Sequence, residues 1–223
     1  NALLKAQSAG VFIGQANATA QVTTASSSVV PGANHCAVSS TGRLAVSDPD
    51  SHRVLIWNTV PTTSGVPADL VLGQVNFTDT SPATTAAGLS EPLGLCWHGS
   101  NLWVCDNDNN RVLRYSSPSA NGQAASLVLG QSIFTTATTG CTATAMSGPN
   151  DVMVYGGKLF VVDSGNHRVL VYNAVPTSSG ASASFALGQA AGGSNLTTNA
   201  TACTAAGMNT PLGIGVTPTG KLL

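Results

Sequence analysis

The chain has 223 residues, a net charge of −1 and only 8% charged side chains, against roughly 25% in an average domain. With so few charges and no basic patch, nucleic acid is not an expected partner. No apolar run approaches the ~18 residues of a membrane-spanning helix, so the chain is not expected to span a membrane.

Taken in order, the chain starts in the middle of a pattern. Residues 1–6 (N-A-L-L-K-A) read as a third strand and residues 10–15 (G-V-F-I-G-Q) as a fourth, followed by a polar Thr/Ser loop over 17–30. The first residue is Asn1 with no leader before it, so the chain is expected to be a mature or trimmed form. Three complete units follow, at 31–74, 92–131 and 149–189. Each contains two short apolar runs separated by a polar or Gly turn, as a hairpin needs. A polar turn opening on Asp and closing on Arg comes next, then an alternating strand, then a strand ending in L-G-Q. The turn and strand read D-P-D-S-H-R-V-L-I-W-N at 48–58, D-N-D-N-N-R-V-L-R-Y-S at 106–116 and D-S-G-N-H-R-V-L-V-Y-N at 163–173. The leading Asp recurs at 48, 106 and 163, and Leu-Gly-Gln at 72–74, 129–131 and 187–189, with a weaker Ile-Gly-Gln at 13–15. Two markers with one period of about 58 residues mean one supersecondary unit per repeat. Four β-branched and aromatic strands per unit, with no helical period, predict an all-β fold of radially repeated antiparallel blades, a β-propeller.

The inter-unit loops run about eighteen residues, longer than most loops in compact domains, and Leu89, Met146 and Met208 are expected to anchor them. The last stretch, P-L-G-I-G-V-T-P-T-G-K-L-L at 211–223, holds a first strand and the start of a second. The two ends therefore read as complementary parts of one split blade, 1–15 with 211–223. Closure of this kind would give one domain of four blades and remove the open sheet edges that seed aggregation. The alternative is a stretch of a larger propeller.

The run G-K-L-F-V-V-D-S-G-N-H-R-V-L-V-Y-N at 157–173 resembles the NHL-repeat β-propellers, and the resemblance extends over nearly the whole chain. The longer period, with L-G-Q and a long loop, departs from the shorter NHL repeat and looks like a secreted bacterial variety. The resemblance implies a propeller, six blades being the usual NHL number, and raises a metal-dependent lyase or hydrolase with channel histidines as one activity. The fold alone does not choose an activity.

The site candidates are weighed against plainer roles. Asp48 and Asp50, and Asp106 and Asp108, alternate as calcium ligands do. The third copy has Gly165 instead, however, and no Glu follows where a bidentate ligand is needed. The preferred reading is structural: Asp48, Asp106 and Asp163 shape turns, while Arg53, Arg111 and Arg168 tie those turns to the neighbouring blade. His52 and His167 share one turn position and read as structural, whereas His35 and His98 sit near inner-strand ends and face the channel in the alternative reading. Asp151 and Glu91 read as solvated loop acids near one mouth. Four scattered histidines make a poor zinc site, and no G-x-S-x-G is present. No metal or other cofactor and no catalytic residue are assigned.

Cys36, Cys96 and Cys105 read as small buried apolar side chains. Cys141 and Cys203 hold equivalent loop positions and form a candidate disulfide, conditional on a Cα separation under about 7 Å. Sequons at Asn17, Asn76, Asn195 and Asn199 are candidate glycosylation sites. The low charge, sequons and Thr-rich loops favour a secreted, extracellular or cell-surface scaffold that contacts other proteins or copies of itself, by strand exchange in a polymer or filament if the ends swap. The enzyme reading above and carbohydrate binding by Trp57, Trp97 or Trp103 are the alternatives.

Overall fold

A computed structural model describes residues 10–189, 196–201, 207–217 and 219–223. It contains three four-stranded antiparallel sheets, each formed by consecutive strands in sequence order. The first is β1 (Cys36–Val38), β2 (Leu44–Asp48), β3 (Arg53–Trp57) and β4 (Leu70–Leu72). The second is β5 (Pro92–His98), β6 (Asn101–Asp106), β7 (Arg111–Tyr115) and β8 (Leu127–Leu129). The third is β9 (Pro149–Tyr155), β10 (Lys158–Asp163), β11 (Arg168–Tyr172) and β12 (Phe185–Leu187). The fold is all-β and propeller-like. Among the described residues no helix is long and apolar enough to cross a membrane.

The alternation along R-V-L-x-[WY] decides how the sheets stack. A strand sends successive side chains to opposite faces, so one repeat serves two neighbours. In β7, Val112 joins the core shared with the third sheet, while Leu113 and Tyr115 join the core shared with the first. Trp103, Cys105, Met146, Val152, Val161 and Leu170 complete the former; Val54, Ile56, Leu89, Leu95 and Val104 complete the latter. A third cluster, of Val30, Leu44, Val46, Leu55, Trp57 and Val71, lies on the far face of the first sheet.

The strands are longer at the Asp than the sequence suggests. Asp48, Asp106 and Asp163 are the last residues of their strands and pair directly with Arg53, Arg111 and Arg168. The first sheet's inner strand is short because Ser47 Oγ accepts from the His35 N–H at 2.9 Å, replacing a ladder bond. In the longer β5 and β9, the proline at the start has no N–H to give, and the ladder register shifts beside it.

The outer strands β4 and β8 are capped by the turn before the last strand of the next unit. Val71 N donates to Asn121 Oδ1 at 3.0 Å, and Gly122 N donates back to Val71 O at 2.9 Å. Val128 is held the same way by Ser179 Oγ and the Gly180 N–H, and Phe12 by Ser64 Oγ and the Gly65 N–H. A polar side chain and a glycine amide thus stand in for one more strand and blunt the exposed edge. The Phe12 bonds place residues 10–13 beside the turn that precedes β4. At the other end, residues 215–217 and 221–223 form a small hairpin through Gly215–Leu223 and Thr217–Lys221 backbone bonds. It is attached to the third sheet by Ile214 N to Asp151 Oδ2 at 3.0 Å and by the Ser164 hydroxyl donating to Pro211 O. The expected pairing of residues 1–6 with this hairpin lies outside the described residues.

Candidate functional site

The repeated Asp-Arg turn is a buried anchor. Arg53, Arg111 and Arg168 are fully buried, and each donates Nε to its Asp: 2.8 Å to Asp48, 2.6 Å to Asp106 and 2.7 Å to Asp163. The other carboxylate oxygen accepts a backbone N–H from Gly32, Ser90 or Ser147. Asn109 and Asn166 add a side-chain donor at 2.9 Å in the second and third copies. The guanidinium NH2 groups then reach both flanking inter-unit loops. Arg111 bonds to Thr85 O and Gly88 O on one side and to Phe134 O on the other; Arg168 bonds to Thr142 O, Ala145 O and Leu196 O. Arg53 does the same with Val29 O and Phe77 O. The arginines therefore fasten the long loops, rather than the neighbouring sheet itself.

This arrangement shows where the alternating acids lie. The Asp48 and Asp106 side chains are fully buried, with their oxygens taken up by Arg53 or Arg111 and by a backbone N–H. Asp108 Oδ2 lies 3.5 Å from Ser90 Oγ, and Asp50 packs against Gly32. No group of three or more His, Cys, Asp or Glu able to hold a metal occurs among the described residues. Burial is the largest influence on Asp106 and pushes its carboxyl up to about 6, with Arg111 foremost among the groups pulling it back. Asp163 moves in the same direction for the same reason.

The Gly-Gln signature has a geometric cause. Gly73, Gly130 and Gly188 all have positive φ, and a Cβ there would meet Leu89, Met146 or Met208. These are the expected loop anchors, pressed against a glycine that leaves room for them. Gly14 meets Val30 in the same manner, so Val30 is the fourth anchor, not picked out by its residue type. The following Gln is buried and clamps carbonyls: Gln74 Nε2 donates to His52 O and Ser81 O, Gln131 to Asn110 O and Thr138 O, and Gln189 to His167 O and Ala200 O.

His52, Asn110 and His167 occupy one structural position, each left-handed with φ near 50°. Each side chain accepts a backbone N–H from the start of the next unit. His52 Nδ1 takes Glu91 N at 3.1 Å, Asn110 Oδ1 takes Gly148 N at 2.9 Å, and His167 Nδ1 takes Thr210 N at 3.0 Å.

One constellation lies off this scaffold. His35 precedes β1, and its Nε2 is 3.8 Å from Asp151 Oδ1 in β9, across from it. His35 Nδ1 also accepts Leu95 N at 3.3 Å. The residues at the matching place beside Leu95 and Ile214 are Gly94 and Gly213; a Cβ on Gly94 would collide with Asp151. Gly94 thus leaves Asp151 the room in which it approaches His35. Asp151 is buried, contrary to a solvated loop acid, and its oxygens accept Val152 N and Ile214 N. Glu91 is exposed, as expected. His98, exposed at the far end of β5, does not join His35.

Trp57 and Trp103 are buried, which removes them as sugar platforms; Trp97 is half-buried with the Arg43 guanidinium 5.2 Å from its ring. Cys105 is buried and Cys96 half-buried, but Cys36 is exposed, because no described sheet covers that flank of β1. Cys141 Sγ lies 3.2 Å from Thr198 O; its candidate partner Cys203, and Asn195, lie outside the described residues. Asn17 and Asn76 are exposed and adopt the same turn, each Oδ1 accepting the amide and hydroxyl of the sequon Thr19 or Thr78. Asn199 is also exposed.

No protein-family model matches the chain, and no curated protein does. Among solved structures, the chain is similar to selenomethionine-substituted virginiamycin B lyase from Staphylococcus aureus, at 11% identity and a TM-score of 0.34, over 86% of this chain and 69% of that one.

Proposed function

We propose that this chain is a non-enzymatic extracellular scaffold that meets other proteins, or further copies of itself, through its Thr-, Ser- and Ala-rich loops. One observation carries the reading. The polar side chains that recur in every unit (Asp, Arg, Gln and the left-handed His or Asn) all end on backbone groups of this chain. They stiffen loops and leave contact with others to the exposed surface. Sugar at Asn17 and Asn76, whose amide groups are exposed in matching turns, fits the same reading.

The body we propose is an NHL-like ring of four blades. The 3.8 Å approach of His35 to Asp151 supports this number, since first and third blades are opposite neighbours across a narrow axis only when there are four. In that ring residues 10–13, bonded at Ser64 and Gly65, would take an outer place before the first blade, and residues 211–223, bonded at Asp151, inner places after the third. Residues 1–9 would join the two into one blade, or would do so between copies in a polymer.

The axial His35–Asp151 pair favours one second reading, a metal-dependent lyase or hydrolase. Elemental analysis of the purified protein, with electron microscopy of the same sample, separates the two. The scaffold reading expects metal-free protein as discs or chains of discs. Stoichiometric zinc or calcium that is lost on replacing His35 would overturn it.

A further inference from the structure

We propose that two of the three seams between consecutive units are acid-released joints, while the middle seam is acid-resistant. The inference rests on one contact made three times with different chemistry. A left-handed residue of one unit accepts a backbone N–H from the lead-in of the next. At the first seam the acceptor is His52 Nδ1, holding Glu91 N at 3.1 Å. At the last it is His167 Nδ1, holding Thr210 N at 3.0 Å. At the middle it is Asn110 Oδ1, holding Gly148 N at 2.9 Å.

An imidazole nitrogen accepts a hydrogen bond only through its unprotonated lone pair. To receive these amides, His52 and His167 must carry their proton on Nε2. A second proton can bind only at Nδ1, the atom already facing an N–H. Protonation therefore replaces attraction with two opposed N–H dipoles and expels the ring from the seam. Histidine is the side chain that ordinarily makes this change in the mildly acidic range. An amide oxygen does not protonate there, so Asn110 keeps its bond.

The surrounding charges do not cancel the effect. At the last seam, Asn209 and Thr210 across from His167 are uncharged, and the neighbouring Arg168 is already paired with Asp163. At the first seam, Arg53 is paired with Asp48; Asp50 packs on Gly32, and Glu91 is the acid that stands across.

Both lead-ins are strained while they are held. Glu91 and Thr210 are themselves left-handed, at φ 49° and 47°, a conformation that non-glycine residues leave readily when unsupported. At the middle seam Gly148 holds the same place at φ 54° without that cost.

Amide hydrogen exchange followed by NMR on the intact chain tests this. Between about pH 7.5 and about pH 5, protection at Glu91 and Thr210, corrected for intrinsic exchange chemistry, should fall about tenfold while Gly148 is unchanged. His52→Asn should abolish the change at Glu91 and leave that at Thr210. Asn110→His should make Gly148 acid-sensitive. Nitrogen-detected imidazole spectra should show the Nε2–H tautomer for His52 and His167 at neutral pH. Nδ1–H tautomers, or equal behaviour of all three amides, would overturn the proposal even if a variant failed to fold.

Discussion

A buried ion pair adds little to stability by itself, but removing one partner strands the other in a dry site. Arg111 shows why the loss is large here, since it carries Asp106 and three loop carbonyls at once. Arg111→Ala should cost about 3–5 kcal/mol in urea unfolding, well above the half-buried Arg114→Ala; equal losses would refute the anchoring role. The charge state has a sign that can be checked. Burial raises the Asp106 carboxyl from 3.8 to about 6, so between those values the folded chain keeps a proton the unfolded chain has lost. The stability from this group is complete below about pH 4 and is lost as pH rises through about 6. Unfolding midpoints across this range should show that decline in the native protein and lack it in Asp106→Asn. An identical pH profile for both proteins would show that Asp106 does not titrate with folding.

Among the elements, the inter-unit loops matter most, because they are long yet pinned at both ends and in the middle. The pin is an apolar side chain seated on a positive-φ glycine. A Cβ at Gly130 would lie 2.8 Å from Asn110 O and 3.1 Å from Met146. Gly130→Ala should therefore cost more than the roughly 1–2 kcal/mol of left-handed backbone alone, and limited proteolysis should shift into residues 132–147. Unchanged cleavage would show that the loop is held elsewhere. Much of this was legible in the sequence: the four strands of each unit, the Asp-to-Arg turn, and Leu89, Met146 and Met208 as anchors followed from period and residue type. Val30 was missed because valine in a Ser-rich run looks like any other loop residue; only its distance from Gly14 marks it. The reach of each arginine into two loops, and the meeting of His35 with Asp151, depend on contacts far apart in sequence that no local pattern encodes. Cys36 misled for a related reason: it holds the place of buried Leu95 and Val152, yet nothing described covers that flank.

For the molecule as a whole, the open flanks are the informative surfaces. Val38 is 57% exposed near Cys36, Leu212 just before the hairpin is 65% exposed, and Leu223 on it is 73% exposed. A cavity of about 400 Å³, lined by Val169, Met208, Ile214 and Leu222, opens between the third sheet and that hairpin. Val169, which holds the place of Val54 and Val112, is buried and lines that cavity. A completed fourth blade would cover both flanks, so Cys36 should resist alkylation in the native protein and react fully once unfolded, as read by peptide mass spectrometry. Rapid native labelling of Cys36 would mean that this flank stays open. The most direct measurement is an experimental density map of the intact chain. The ring account predicts four sheets around one axis, with His35 facing Asp151 across it and the hairpin at 215–223 extended by further strands; an open arc of three sheets, or a ring of more than four, would contradict it.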